Sequence, residues 1–136
     1  MIVIVCLEER KGMQFGGRRV SRDRVVTEKI CTLCTGKPLW IDPVSAGLFE
    51  EQSGNVALHA ASDLLERAGD GEYCFVENKG LQAVEEKIEK IVVFWWNRHY
   101  PSDRKLDLDL SHWKKVSEEE FAGYSHEKIT KEVYEK

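Results

Sequence analysis

No apolar stretch of this chain approaches the roughly 18 residues that a membrane-spanning helix needs. Ile2 to Leu7 is apolar but has no basic leader and no small-residue cleavage site, so it reads as a first strand and not as a signal peptide. Cysteine is sparse. Without an export signal, Cys6, Cys31, Cys34 and Cys74 are expected to be reduced thiols in a cytoplasmic protein. The C-x-x-C run Cys31-Thr32-Leu33-Cys34 lacks the second ligand pair that a zinc site requires. It also falls at the end of an expected helix, not at the start where the dipole activates a thiol, so it reads as core. The histidines (His59, His99, His112 and His126) are scattered and form no metal-binding cluster.

Glycine is missing where it would matter most. Two apolar runs, Lys37 to Ser45 and Glu72 to Asn78, each read as a strand turning into a helix, and they turn on Asp42 and Glu77. A nucleotide-binding α/β domain carries glycines at such corners, so that backbone N–H groups at the helix start can cradle phosphate. A carboxylate there is itself attracted to the positive end of the helix dipole, and both corners read as already filled.

What remains is an ordinary globular composition, 42% hydrophobic and 32% charged, and at 136 residues one domain is expected. The net charge of −4 conceals an asymmetry: Arg10 to Lys29 sums to +5 and the remainder to −9. Such a basic segment makes a local anion-attracting field. The acidic remainder argues against a broad nucleic-acid surface.

Along the chain, the β-branched run Ile2 to Leu7 predicts a strand buried on both faces. Glu8 to Val20 reads as a loop, and Ser21 as the N-cap of a helix carrying Val26, Ile30 and Leu33, closed by Gly36. Strands follow at Lys37–Ile41, Asn55–His59, Glu72–Val76 and Ile91–Trp96. Between them lie helical segments at Val44–Glu51, at Asp63–Ala68 after a Ser62 cap, and at Leu81–Glu89. Leu106, Leu108 and Leu110 alternate with aspartates and suggest an edge strand; Glu118 to Glu120 suggests a solvated turn. His112–Val116 and Lys128–Tyr134 follow without helices and predict an antiparallel end. The expected class is α/β, with a mostly parallel sheet and a C-terminal antiparallel hairpin.

This order resembles the dihydrofolate reductase family over most of the chain. IVIVCLEERKGM is similar to that family's first strand and mobile-loop start, and GKPLWIDPVSAGLF to its Lys-Pro strand and Gly-Arg-x-Thr helix start. GEYCFVENKGL is similar to the strand that ends in a double glycine, EKIEKIVVFWW to the next central strand, and the tail from Asp109 to the closing hairpin. The resemblance implies a three-layer sandwich. It implies a first-helix carboxylate that binds and helps protonate a pterin ring, with Asp23 the nearest match. It also implies an NADPH site, to which Ser45, at the Thr position, and Asn78, at the double glycine, would contribute. Asp42-Pro43 and Glu77-Asn78 replace the phosphate-holding residues, and Arg18-Arg19 replaces the mobile loop's Pro-Trp pair. The runs GGRRVSRDR, WNRHYP and YSHEKITKEVY resemble small uncharacterised bacterial proteins, some of which bear a ribonuclease Z label. That enzyme's His-x-His-x-Asp-His cluster, which generates a metal-bound hydroxide, has no counterpart here.

The leading candidate site is the arginine loop: Arg18, Arg19, Arg22 and Arg24, with Gly16 and Gly17 permitting close approach. Guanidinium forks take phosphate or carboxylate in pairs of hydrogen bonds, which points to an anionic or phosphorylated small molecule. A solvated loop with surface Arg–Asp and Arg–Glu pairs is the alternative. Asp23, between Arg22 and Arg24, is expected to have a lowered pKa, and it could equally serve the helix dipole. Trp95 and Trp96 should face opposite sides of their strand and pack in the core; His126, near the final strand, could contact a ligand but reads more simply as a surface hairpin residue. The expectations are an anion-binding protein with no cofactor, an NADPH-dependent pterin reductase, or a structural or protein-interaction domain.

Overall fold

The computed structural model describes residues 1–50 and 56–136. A seven-stranded sheet runs through its centre. β1 (Ile2–Leu7) lies between two parallel neighbours, so both of its faces are covered and its β-branched run needs no polar side. The segment expected as a loop is instead a ribbon of β2 (Gly12–Phe15) and β3 (Arg18–Arg19). Gly16 and Gly17, at φ of 58° and 79°, form its two-residue turn; two consecutive positive φ angles suit the twist of a hairpin.

α1 (Arg24–Leu33) is capped by Asp23 and not by Ser21, because the Asp23 carboxylate accepts the Val25 N–H at 2.9 Å. Its buried stripe is Val26, Thr27, Ile30 and Cys31. β4 (Pro38–Ile41) leads through Asp42 into a 3₁₀ turn (Pro43–Ser45) and α2 (Ala46–Phe49); Glu51, the expected helix end, lies outside the described residues. Of the strand expected at Asn55–His59, Asn55 lies outside the described residues, and β5 is Ala57–Ala60. α3 (Leu64–Arg67) follows Asp63 and is not capped by a Ser62 side chain. After β6 (Tyr73–Phe75), the segment expected as a helix is a 3₁₀ stretch at Gln82–Lys87, followed by β7 (Lys90–Trp95).

The leucine–aspartate alternation at 106–110 is not an edge strand. The short β8 (Arg104–Lys105) precedes it. Leu106 and Leu108 then drop into the core while the Asp107 carboxylate accepts the N–H groups of Leu81 and Gln82, so the spacing reflects two anchors and a cap. β9 (Lys114–Phe121) and β10 (Ile129–Glu135) close the chain. Glu118 to Glu120 lie within β9, at the sheet's outer edge, where charge discourages pairing with other chains.

The strand order is β5-β4-β6-β1-β7-β10-β9, with the first five parallel and the last two antiparallel. A smaller antiparallel sheet, β3-β2-β8, sits beside it. Alternation along β1 and β7 sends Val3, Val5, Ile91 and Val93 to one core cluster with Leu64 and Leu81. It sends Ile4, Val92 and Phe94 to the other, with Val26, Ile30 and Phe49. Trp95 and Trp96 divide between the two clusters as their spacing requires. Two covered faces make three layers, and they leave the carboxyl ends of the parallel strands as the open end.

Candidate functional site

At that open end, Cys6 of β1, Glu77 beyond β6 and Trp96 beyond β7 form the floor of a cleft. Ser21 and Arg22 border it on one side and Leu48 of α2 on another. That floor is narrow, about 10 Å³; a neighbouring pocket of about 150 Å³ shares Arg22, Asp23, Thr27 and Leu48 with it and adds Arg24, Gly47 and Glu50. Among the described residues no group of three or more His, Cys, Asp and Glu side chains is placed to hold a metal ion.

Asp23 is the best-connected side chain of the site. It is only 3% exposed. Oδ1 accepts the N–H groups of Val25 and Tyr124, each at 2.9 Å. Oδ2 accepts Ser125 N–H at 2.9 Å and Ser125 Oγ at 3.2 Å, and it meets His126 Nδ1 at 2.9 Å. Burial works against its charge. The donors from Tyr124, Ser125, His126 and Val25 outweigh burial and hold the carboxyl well below the usual carboxylate range. The expected direction is correct, but the cause is this ring of donors and not the flanking arginines. Gly123 makes the approach possible: a Cβ there would sit 2.6 Å from Asp23 Oδ2 and 2.7 Å from Ile129 Cδ1.

His126 is not a surface residue. It is 5% exposed and stacks on Trp96 with ring centroids 4.7 Å apart. Because Asp23 is ionised, it only accepts, so Nδ1 carries a proton and donates to it. In the neutral ring Nε2 is then the acceptor, 3.0 Å from Ser21 Oγ and 3.2 Å from Tyr100 Oη. The two hydroxyls are themselves 3.4 Å apart. The indole Nε1 of Trp96 is buried without a hydrogen-bond partner among the described residues.

The arginines do not converge. Arg19 makes a two-pronged pair with Glu77, at 2.7 and 2.9 Å, which fastens the β2–β3 ribbon to the main sheet. Arg18 is exposed on the same ribbon. Arg22 and Arg24 reach the cleft, with the Arg24 guanidinium 4.9 Å over the Tyr124 ring. Strand alternation and the buried Glu77 carboxylate divide a set that is contiguous in sequence.

The two acidic corners are satisfied from within. Ser45 Oγ donates to Glu77 Oε1 at 2.6 Å. Asp42 accepts Val44 N–H at 3.0 Å, and Lys79 and Asn78 also serve it. The Ser45 hydroxyl and the Val44 N–H are thus bound to carboxylates, and Asn78 faces Asp42.

Reading the sequence missed Ser21 as a site hydroxyl, Tyr100, Ser125 and Gly123, and misplaced His126. Tyr100 and the hairpin loop stand far from Asp23 in the chain, about a hundred residues for the loop, and leave no local pattern; Ser21, two residues before Asp23, read as a helix cap. Glu8 was missed too. It is fully buried, accepts the N–H groups of Arg10, Gly12 and Tyr100, and so anchors the segment that carries the Tyr100 ring.

No family model and no curated protein matches this chain. Among solved structures it is similar to a dihydrofolate reductase from Enterococcus faecalis, complexed with NADP(H) and RAB-propyl. The TM-score is 0.68 at 10% identity, covering 98% of this chain and 94% of that one. The fold is therefore dihydrofolate-reductase-like, a three-layer α/β arrangement with a mostly parallel sheet. At that identity the likeness concerns the fold alone.

Proposed function

We propose that this chain binds a small anionic molecule, phosphorylated or carboxylate-bearing, in the cleft at the carboxyl ends of β1, β6 and β7. The observation that carries this reading is that Arg22 and Arg24 both line the cleft while the carboxylate between them in the chain is turned to other donors. Asp23 turns its oxygens to donors of its own helix start and of the hairpin loop, so it holds neither guanidinium group, and Glu50 is the other carboxylate among the residues lining that pocket. Among the described residues neither arginine has an acidic partner within 4.0 Å, whereas Arg19 is committed to Glu77.

The test is calorimetric titration of the purified chain with inorganic pyrophosphate and with succinate at low ionic strength. Binding of either, weakened at least about tenfold when Arg22 and Arg24 are both replaced by alanine, is the expected result. Equal binding by the variant, or no binding by the native chain, refutes the reading.

A second reading is reduction of a pterin-like substrate with NADPH. It is favoured by the position of Asp23 at the start of α1 over the sheet's carboxyl ends, within a fold similar to a dihydrofolate reductase. Against it stand the five donors that already occupy Asp23, and the engagement of Ser45 by Glu77. Stabilisation of the chain by low-micromolar NADPH in a thermal melt would favour this reading over the first.

A further inference from the structure

Ser21, His126 and Asp23 are linked in one line: hydroxyl to Nε2 at 3.0 Å, and Nδ1 to carboxylate at 2.9 Å. The residues come from the approach to α1 and from the β9–β10 connection, so no sequence spacing announces them. The carboxylate fixes the ring's tautomer, leaving Nε2 free to accept a hydroxyl proton. Trp96, stacked on the ring, holds its plane. Ser21 is partly exposed and borders the cleft, while His126 and Asp23 are buried behind it. Hydroxyl, imidazole and carboxylate in this order match the arrangement by which a general base activates a nucleophile.

We propose that Ser21 is a nucleophile for acyl transfer, with His126 as its base and Asp23 as the residue that positions the imidazole. The substrate class is an ester whose acyl part carries an anionic group, since Arg22 borders the same cleft; that last feature rests on the anion-binding reading above. Ser21 Oγ attacks the ester carbonyl carbon while its proton passes to His126 Nε2, and the carbonyl electron pair moves to oxygen. Collapse of the adduct breaks the bond to the alkoxide, which takes the proton from Nε2 and leaves as the alcohol. Water then attacks the acyl-serine, giving one proton to Nε2, which returns it to Ser21 Oγ as the acid departs. The sum is ester plus water to acid plus alcohol. Tyr100 Oη shares Nε2 with Ser21, so it is the competing hydroxyl.

The experiment is labelling of the folded native chain with an uncharged alkyl fluorophosphonate, the modified residue being located by mass spectrometry. Modification of Ser21, slowed at least about a hundredfold in His126→Gln, supports the proposal. A folded chain with no adduct at Ser21, or with the adduct on Tyr100 instead, overturns it. Should His126→Gln not fold, Ser21→Cys replaces it. Alkylation of that thiol by iodoacetamide faster than a cysteine placed at the exposed Ser111 supports an imidazole-activated position, and equal or slower alkylation overturns it. Hydrolysis of p-nitrophenyl hemisuccinate against p-nitrophenyl acetate separates the two readings. A Ser21 adduct with no preference for the anionic ester rejects the arginine-based substrate class alone. Pyrophosphate binding without an adduct rejects the nucleophile and leaves anion binding standing.

Discussion

Replacing Asp23 by asparagine tests how the site is held together. The carboxylate is acceptor-only, and each of its oxygens faces two N–H donors: Val25 and Tyr124 at Oδ1, Ser125 and His126 at Oδ2. Whichever way the amide is turned, its NH₂ group confronts two donors. His126 can relieve one conflict by moving its proton to Nε2, but the backbone N–H groups have no alternative. With a buried unsatisfied donor costing about 1–3 kcal/mol, Asp23→Asn should destabilise the chain by about 3–5 kcal/mol at neutral pH. The effect depends on pH with a definite sign. The Asp23 carboxyl is depressed in the folded chain below its ordinary value of 3.8. Its contribution is therefore complete above that value and is lost as the pH falls from there toward the folded one, because the unfolded chain takes up the proton first. Urea unfolding of both proteins at several pH values should show a gap that narrows below about pH 4. A neutral-pH gap under about 1 kcal/mol, or one that does not narrow in acid, would refute the argument that the carboxylate organises this site.

Gly123→Ala should cost about 1–3 kcal/mol in urea unfolding, since the new methyl meets Asp23 Oδ2 and Ile129; a neutral outcome would show that the hairpin loop shifts freely. Arg19→Ala strands the buried Glu77 carboxylate and should cost about 3 kcal/mol, at the low end for a buried pair because the arginine side chain is 26% exposed. Adding Glu77→Gln should recover part of that loss in a double-mutant cycle; strict additivity would deny the pair any coupling. The thiols of Cys34 and Cys74 are pushed up to about 12 by burial, so a disulfide reagent at about pH 8 should leave them unmodified until urea is added. Modification in native buffer at the rate of free cysteine would contradict their burial.

The fold was legible where one local rule had no competitor. β1, β4, β6 and β7 are short apolar runs ended by polar residues, and all four stand within two residues of their expected limits. The hairpin at Gly16-Gly17 carried a known turn signal that was outweighed by the charge around it. The helical expectations at 63–68 and 81–89 shrank to a single turn and a 3₁₀ stretch, because tertiary packing and not propensity sets the length of such short segments. The alternating leucines at 106–110 misled for a related reason: two anchors below an irregular segment imitate a strand's period.

The sequence by itself determined the layers and the direction of the sheet, since hydrophobic period and β-branched runs are properties of neighbouring residues. It also placed carboxylates at both corners and Asp23 at the head of α1. Only the tertiary structure decided what each charge meets: Glu77 takes Arg19 away from its neighbours, Asp23 turns to the hairpin loop, and His126 moves from the surface into a buried line with Ser21. A carboxylate's partner is chosen by distance in space and by the cost of leaving a buried donor unmatched. Neither quantity is written in the spacing of residues along a chain.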